Sequence, residues 1–386
     1  KDNPEILEAV KNNIPIIRRA EMLGELLKIK PVSIAVSGTH GKTSTSSMLG
    51  SILNQAKTSP TLVIGGIVKD LKSNFASGTG DTILVEADEF DKTFLSLKPT
   101  MSIITNIDLE HLDCYKNLEE LMDCFSQFAN SVPFYGKVII SKDDVKNIFF
   151  KMVNRPFITY GITSKDADFI AKNIQFDEFS SKYELFKSNA YIGEVKLNVP
   201  GLHNVKNSLA AICCAVELEI DIKYIIEGLY KYSGVSRRFE RVYNCLDRNI
   251  SIIDDYAHHP TEIRATINTA KNLKKDRVIA IFQPHLYSRT RDFCYEFAKS
   301  LFPADMIIIT KIFGAREKSI ENIKSENIID ILNQLGHHNA IVIDDQDDIP
   351  IYLKKIIANN DLILTMGAGS IYKINKEIES IVSNNE

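Results

Sequence analysis

The chain has 386 residues, 44% of them hydrophobic, and a formal net charge of −4 with lysine and arginine spread along its length. That size buries about two to three domain cores. The absence of a basic stripe excludes nucleic acid as an expected partner, and no apolar run approaches the ~20 residues of a membrane span. Cys114, Cys124, Cys213, Cys214, Cys245 and Cys294 show no C-x-x-C spacing, which fits free thiols in a reducing compartment, the cytoplasm, better than disulfides or zinc.

The first thirty residues form no complete βαβ unit. After them, short β-rich apolar runs alternate with amphipathic helical stretches, which predicts an α/β architecture with largely parallel sheet. Strands are expected at 32–37, 61–67, 82–87, 101–107 and 137–141, with helices after a Gly-rich turn at 38–41 and over 118–131. Between 157 and 199 the pattern changes to closely spaced strands, and 183–186 with 190–199 reads as a hairpin. A second α/β series begins near Asn249, with strands at 250–254, 278–282, 306–310, 340–343 and 362–366 and helices at 261–272 and 291–301. Gly367-Ala368-Gly369 and a closing helix follow the last strand. The boundary between the two series is expected at 233–238.

The richest segment is Ser37-Gly38-Thr39-His40-Gly41-Lys42-Thr43-Ser44, where a strand enters a glycine turn and then a helix. Gly38 and Gly41 let backbone N–H groups close around phosphate oxygens, and the helix start adds a positive dipole end. Lys42 would reach the terminal phosphates and the Thr43 hydroxyl would take a place on Mg²⁺. Val36 stands where the longer phosphate-loop pattern has its first glycine, so this is a shortened Gly-x-x-Gly-Lys-Thr form. Lys42 is expected to face solvent in the empty loop.

Acidic groups end two further strands, in Val85-Glu86-Ala87-Asp88-Glu89 and in Thr105-Asn106-Ile107-Asp108-Leu109-Glu110-His111. The carboxyl ends of parallel strands share one edge with the phosphate loop, so Glu86 and His111 are candidates to hold a divalent cation there. Solvated loop charges are the other reading. His203 and Asn204 either cap the helix that runs to Glu217 or face a ligand. Arg238, at the boundary, is either a surface charge or a phosphate clamp. In the second series, Asp254-Asp255-Tyr256-Ala257-His258-His259-Pro260-Thr261-Glu262 and Phe282-Gln283-Pro284-His285-Leu286-Tyr287-Ser288-Arg289 each follow a strand and precede a helix, where α/β ligands bind. His258, His259 and His285 admit a zinc reading, but no cysteine or further fixed ligand accompanies them.

Taken together, Gly38 to Thr43, Val85 to Glu89, Thr105 to Ile107 with His111, Gly201-x-His203-Asn204, Arg237-Arg238-Phe239, Asp254 to Glu262 and Phe282 to His285 make the chain resemble the Mur ligase family over nearly its whole length. Arg18 to Leu23 adds to that likeness. The Asp-Tyr-Ala-His-His-Pro-Thr-Glu run is similar to the alanine-adding branch and to the branch that recycles murein tripeptide. The resemblance implies a P-loop-type central ATPase domain with parallel sheet over 23–234 and a C-terminal Rossmann-like domain over 235–386. It further implies that 1–22 is the exit segment of an N-terminal UDP-binding domain otherwise absent.

Its implied chemistry is ATP- and Mg²⁺-dependent amide formation between UDP-N-acetylmuramate and L-alanine through an acyl phosphate. By position, Lys42, His111 and Arg238 would be catalytic. Gly38 to Ser44, His203, Asn204, Asn207, Arg238 and Asp255 would bind ATP, with Asp255 on the ribose. Thr43, Glu86 and His111 would hold the metal, and Tyr256, His258 and Arg289 would face the amino acid. Many family members carry arginine where this chain has Leu286. A truncated, non-catalytic nucleotide-binding module and a plain ATPase or kinase are the rival readings, and nothing in the sequence sets an oligomeric state.

Overall fold

The computed structural model of the chain describes residues 3–108 and 114–383. Its internal contacts divide it into two units, one of residues up to 173 with 183–196 and 206–232, the other of 174–182, 197–205 and 233 onward.

Helices α1 (Pro4–Lys11) and α2 (Arg19–Leu27) precede the first sheet. Then come β1 (Val32–Ser37), α3 (Lys42–Gln55), β2 (Thr61–Val68), β3 (Ser73–Ala76), β4 (Thr82–Glu86), β5 (Met101–Ile104), α4 (Leu118–Asn130) and β6 (Lys137–Ser141). They are followed by α5 (Asn147–Phe150), β7 (Phe157–Gly161), β8 (Phe169–Asp177), β9 (Ser180–Lys187), β10 (Ala190–Leu197), α6 (Leu202–Glu217) and α7 (Ile222–Lys231). The strands form one sheet in the order β10-β9-β8-β7-β6-β5-β1-β4-β2-β3. β1 lies inside it, parallel to both β4 and β5, with Val36 opposite Glu86 on one side and Ile103 on the other. Ile34, Ala35 and Val36 are fully buried, as a strand covered on both faces requires. That register brings the carboxyl ends of β1, β4 and β5 side by side.

α3 begins with Lys42-Thr43-Ser44-Thr45-Ser46-Ser47, a poor helix-former run on propensity alone. Burial of its apolar positions Met48, Leu49, Ile52 and Leu53 overrides that, and Ser46 returns a hydroxyl hydrogen bond to the Lys42 carbonyl at 2.9 Å. β9 and β10 neighbour each other across Ser188-Asn189, both at positive φ, which is the turn geometry expected of a two-residue hairpin.

The second unit carries β11 (Glu240–Cys245), β12 (Ile250–Asp255), α8 (Pro260–Lys271), β13 (Arg277–Phe282), α9 (Tyr287–Asp292), α10 (Cys294–Leu301) and β14 (Met306–Ile309). It closes with α11 (Glu326–Gln334), β15 (Ala340–Val342), α12 (Asp348–Ile356), β16 (Asp361–Met366) and α13 (Asn375–Ser383). The sheet order is β11-β12-β16-β13-β14-β15. Along β13, Val278, Ala280 and Phe282 join one core with Ile263, Ile267 and Phe297, while Ile279 and Ile281 join another with Ile349, Leu353 and Ile378. That alternation marks a sheet with helices on both faces.

Two expectations are corrected. The sheets are mixed, because β3 pairs antiparallel with β2 and β11 antiparallel with β12. The helix expected at 291–301 is two, broken at Phe293, whose φ of −118° and ψ of 20° lie outside the helical region. Among the described residues no helix is long and apolar enough to cross a membrane.

Candidate active site

In the first unit the site is built from the turn between β1 and α3. Gly38 sits at φ 130°, and a Cβ there would lie 2.0 Å from the Thr105 hydroxyl. Gly41 sits at φ 82°, and a Cβ there would lie 2.5 Å from the Asn207 side-chain oxygen. Neither position accepts a side chain. The segment after β5 braces the turn: the His40 N–H donates to Asn106 Oδ1 at 2.8 Å, Asn106 Nδ2 to the His40 carbonyl at 2.9 Å, and the Thr105 hydroxyl to the same carbonyl at 2.6 Å. The Asp108 N–H donates to the Thr39 hydroxyl at 2.9 Å, and His40 Nε2 lies 3.6 Å from an Asp108 carboxylate oxygen. Thr105 and Asn106 therefore hold the turn's shape.

Lys42 does not face solvent. Its side chain is 14% exposed, and its ammonium donates to Glu89 Oε2 at 2.7 Å, the Gly38 carbonyl at 2.8 Å and the Thr39 carbonyl at 3.2 Å. Burial alone would drive the ammonium toward neutrality. Glu89 foremost, with Asp88 and Glu86 behind it, outweighs that and holds Lys42 above its ordinary range. One residue further, the Thr43 hydroxyl donates to Glu86 Oε1 at 2.9 Å, and Glu86 Oε2 accepts from the Gly65 N–H at 2.7 Å. Thr43 and Glu86 thus present hard oxygen donors at the start of α3, the ligand type that Mg²⁺ takes. Ser44 is buried in the same turn, and Asn207 packs against Gly41. His111 lies outside the described residues.

In the second unit, the loop after β12 gathers the other candidates. Asp255 is buried, with Oδ2 accepting from the Phe239 N–H at 2.9 Å and the Thr266 hydroxyl at 3.2 Å, and Oδ1 from the Ala257 N–H at 2.8 Å. Burial pushes its carboxyl up to about 6. These partners come from the segment before β11, from α8 and from its own loop, and Oδ1 takes a single donor. Its neighbour Asp254 pairs with Arg237 at 3.1 Å.

The Tyr256 ring is within cation–π range of two guanidinium groups, 5.0 Å from Arg237 and 5.2 Å from Arg238. Arg238 also reaches Glu262 at 3.7 Å, and Glu262 accepts from the His258 N–H at 3.1 Å as it closes the first turn of α8. His258 Nδ1 lies 3.0 Å from the Tyr256 carbonyl, where the Nδ1–H tautomer donates. Burial first, with Arg289 and His285 adding, pulls His258 down to about 3 against the pull of Glu262. His285 stands 5.9 Å from the His258 ring and is lowered to about 4 by burial and Arg289. All these groups are therefore neutral imidazoles near pH 7, as is His203, lowered to about 4 by burial and the Arg238 charge. Asn204 is buried and donates to the Pro200 carbonyl at 2.7 Å.

The structure thus brings Gly38 to Ser44, Glu86 and Asn207 together in one unit, and Arg238, Tyr256, His258 and Arg289, with His203 close enough to feel Arg238, in the other. Two carboxylates escaped the site assignment, Glu89 and Glu262. Both lie within the same motifs, Glu89 three positions past Glu86 and Glu262 four past His258.

The first unit is thus an α/β fold with a glycine-bent turn before a helix and a lysine and a hydroxyl on that turn, the layout of a nucleotide-binding α/β protein, and a second α/β unit follows it in the chain. Residues 36–215 match the Mur ligase middle domain, and residues 237–369 match the Mur ligase glutamate ligase domain. The UDP-N-acetylmuramate--L-alanine ligase of Salinibacter ruber is 40% identical over 385 residues, which is 99% of this chain and 80% of that protein. The protein of the same name from Syntrophus aciditrophicus is 43% identical over 376 residues, 97% of this chain and 77% of that one. Among solved structures, the UDP-N-acetylmuramate-alanine ligase MurC from Thermotoga maritima superimposes with a TM-score of 0.83 at 30% identity, covering 100% of this chain and 83% of that one. The chain belongs to the Mur ligase family.

Proposed function

We propose that this chain is an ATP-dependent ligase that joins L-alanine to the lactyl carboxylate of UDP-N-acetylmuramate in peptidoglycan precursor synthesis. The reading rests on the relatives of that name, about 40% identical along nearly its whole length, and on one observation of geometry: Lys42 and the Thr43–Glu86 pair stand together at the turn into α3. A carboxylate does not react with an amine until its oxygen becomes a leaving group. ATP supplies that by transferring its γ-phosphoryl to the carboxylate and releasing ADP. The amine nitrogen then attacks the acyl carbon, the carbon–oxygen bond to phosphate breaks, and phosphate and a proton leave.

Such a transfer concentrates negative charge on phosphoryl oxygens, so positioned cations and N–H groups matter more than a protein nucleophile. The N–H groups of the turn Gly38 to Ser44 cradle the phosphates, and Lys42 and Arg238 offset their charge. Thr43 and Glu86, with His111 as a further ligand, would hold Mg²⁺, whose contribution is to neutralise phosphate charge. His203, Asn204 and Asn207 lie toward the adenine side. Tyr256, His258 and Arg289 face the amino acid. His258, lowered to about 3, takes no proton from the incoming ammonium at neutral pH and serves as a neutral hydrogen-bonding wall. Asp255 shapes the loop that carries Tyr256 and His258. We divide the protein into an ATP-binding domain over 23–234 and an amino-acid domain over 235–386, and place the reaction in the cytoplasm, where ATP and reduced thiols coexist.

Phosphate release from Mg²⁺-ATP, measured with UDP-N-acetylmuramate and one amino acid at a time on the full-length protein, tests the proposal. Release that needs both the nucleotide sugar and L-alanine is the expected result. A preference for a murein peptide over the sugar nucleotide would move the assignment to tripeptide recycling. Release without any amine would make the protein an ATPase, and ATP binding without release a nucleotide-binding module.

A further inference from the structure

The ammonium of Lys42 has three protons, and the structure spends all three inside the protein: on the Gly38 carbonyl, the Thr39 carbonyl and Glu89. Two of these acceptors are backbone of the turn itself. The third is a carboxylate 1% exposed, brought from the segment after β4. That segment is firmly placed. The Ala87 N–H donates to the Val36 carbonyl at 2.8 Å, and the buried Tyr115 hydroxyl donates to the Glu89 carbonyl at 2.5 Å. Asp91 and Lys92 then follow in succession at φ 52° and 56°. Consecutive side-chain-bearing residues in the left-handed region are strained by roughly 1–3 kcal/mol each, a cost the surrounding contacts must offset.

We infer that Glu89 is a positioning residue for Lys42: in the empty site it holds the ammonium as an ion pair, so that a nucleotide obtains the lysine only by displacing the carboxylate with its terminal phosphate. The inference rests on the reading of this turn as the phosphate site and adds to it a residue that sets how tightly the nucleotide is held. Its chemistry favours ligands with strongly charged terminal phosphates. A single weak anion does not outcompete a buried carboxylate at 2.7 Å, whereas a triphosphate accompanied by its cation does. Glu86 and Asp88 add to the negative field around Lys42, which makes the lysine's release the decisive step for an incoming polyanion.

The test is Glu89→Gln, which keeps the shape and a hydrogen-bond acceptor but removes the charge. A hydrogen bond to an ionised partner is roughly twice as strong as a neutral one, so weakening the hold on Lys42 should tighten Mg²⁺-ATP binding, measured calorimetrically without the other substrates, by about threefold to tenfold. A residue that merely supported the fold would weaken binding when lost. Unchanged or weaker ATP binding in a folded Glu89→Gln protein overturns the inference. The same substitution in a Lys42→Ala background should leave ATP affinity unchanged; if the tightening persists there, the effect bypasses the lysine and the inference fails. Lys42→Ala alone keeps the two readings separate, since wild-type ATP affinity in that variant would sink the phosphate-site reading itself. Should Glu89→Gln not fold, melting points decide: Lys42→Ala/Glu89→Gln melting above Lys42→Ala supports the pairing, and melting at or below it overturns it.

Discussion

Lys42→Ala is expected to damage the fold as well as the reaction. The substitution removes the group that lies 2.7 Å from Glu89 and leaves a carboxylate that is 1% exposed. Removing one partner of a buried ion pair costs about 3–5 kcal/mol, because the remaining charge stays desolvated without its counterion. Lys42 retains 14% exposure, so water reaches part of the gap and the lower end applies, about 3 kcal/mol. For a unit of this size each kcal/mol lowers the melting temperature by about 2–4 °C, so a fall of roughly 6–12 °C is expected. Differential scanning calorimetry of wild type and variant reads the shift, and phosphate release on the same samples, at a temperature where both are folded, reads a loss of about 10²-fold or more. A variant that melts within a degree or two of wild type would refute the reasoning, since Lys42 would then behave as the solvent-facing side chain that the bare sequence suggests.

Gly38→Ala places a Cβ 2.0 Å from the Thr105 hydroxyl at φ 130°; the turn must open, and both ATP binding and urea resistance should fall, with preserved binding counting against the described turn. Glu86→Gln and His111→Ala should each raise the Mg²⁺ concentration needed for half-maximal phosphate release, and a flat metal dependence in either would remove that residue from the ligand set. The second unit should gain stability as pH rises from about 4 to 6. His203, His258 and His285 fold with values lowered to about 4, 3 and 4, so the unfolded chain holds their protons over that window and deprotonation favours the fold. Asp255, raised to about 6, and Asp254, also raised by burial, act in the opposite direction but are two groups against three, leaving a net gain on the order of 1 kcal/mol per pH unit; urea midpoints that fall with pH would contradict it. Leu286→Gly should change stability by no more than about 1 kcal/mol, because relief of strain at φ 71° offsets the lost side chain, and a urea-melt loss well beyond that would show the backbone there to be unstrained.

The turn at 38–43 was readable because strand, glycines, lysine, hydroxyl and helix follow one another locally, each with its own signature. The parallel core strands were readable for the same reason: a strand covered on both faces is apolar without interruption, as in Ile34 to Val36. The direction in which Lys42 points was not readable. It is decided by Glu89, forty-seven positions away in sequence, whose carboxylate is placed by the β1–β4 register and by Tyr115. Asp255 illustrates the same limit from the other side. Its place at the end of a strand is legible in the sequence, whereas the convergence of Phe239, Ala257 and Thr266 on its carboxyl exists only once the chain has folded.

Backbone strain was the least legible property. Glycine announces a left-handed turn at Gly38 and Gly41, yet Arg237, Phe239 and Leu286 adopt positive φ of 63°, 47° and 71° with full side chains and no such announcement. Each is held by bonds across its loop: the Tyr256 N–H donates to the Arg237 carbonyl at 2.7 Å, the Phe239 N–H reaches Asp255, and the Leu286 N–H donates to the Phe313 carbonyl at 2.9 Å. Arg237 and Phe239 flank Arg238, and Leu286 lies three residues before Arg289. The strain therefore sits beside the two arginines proposed to meet the phosphates and the amino acid. Non-glycine residues persist in such conformations only where the surroundings over-determine them. In this unit they are over-determined by Asp255 and by the backbone of the loops that carry Tyr256 and Phe313, so the buried carboxyl of Asp255 contributes to the site through the geometry it imposes on Arg238.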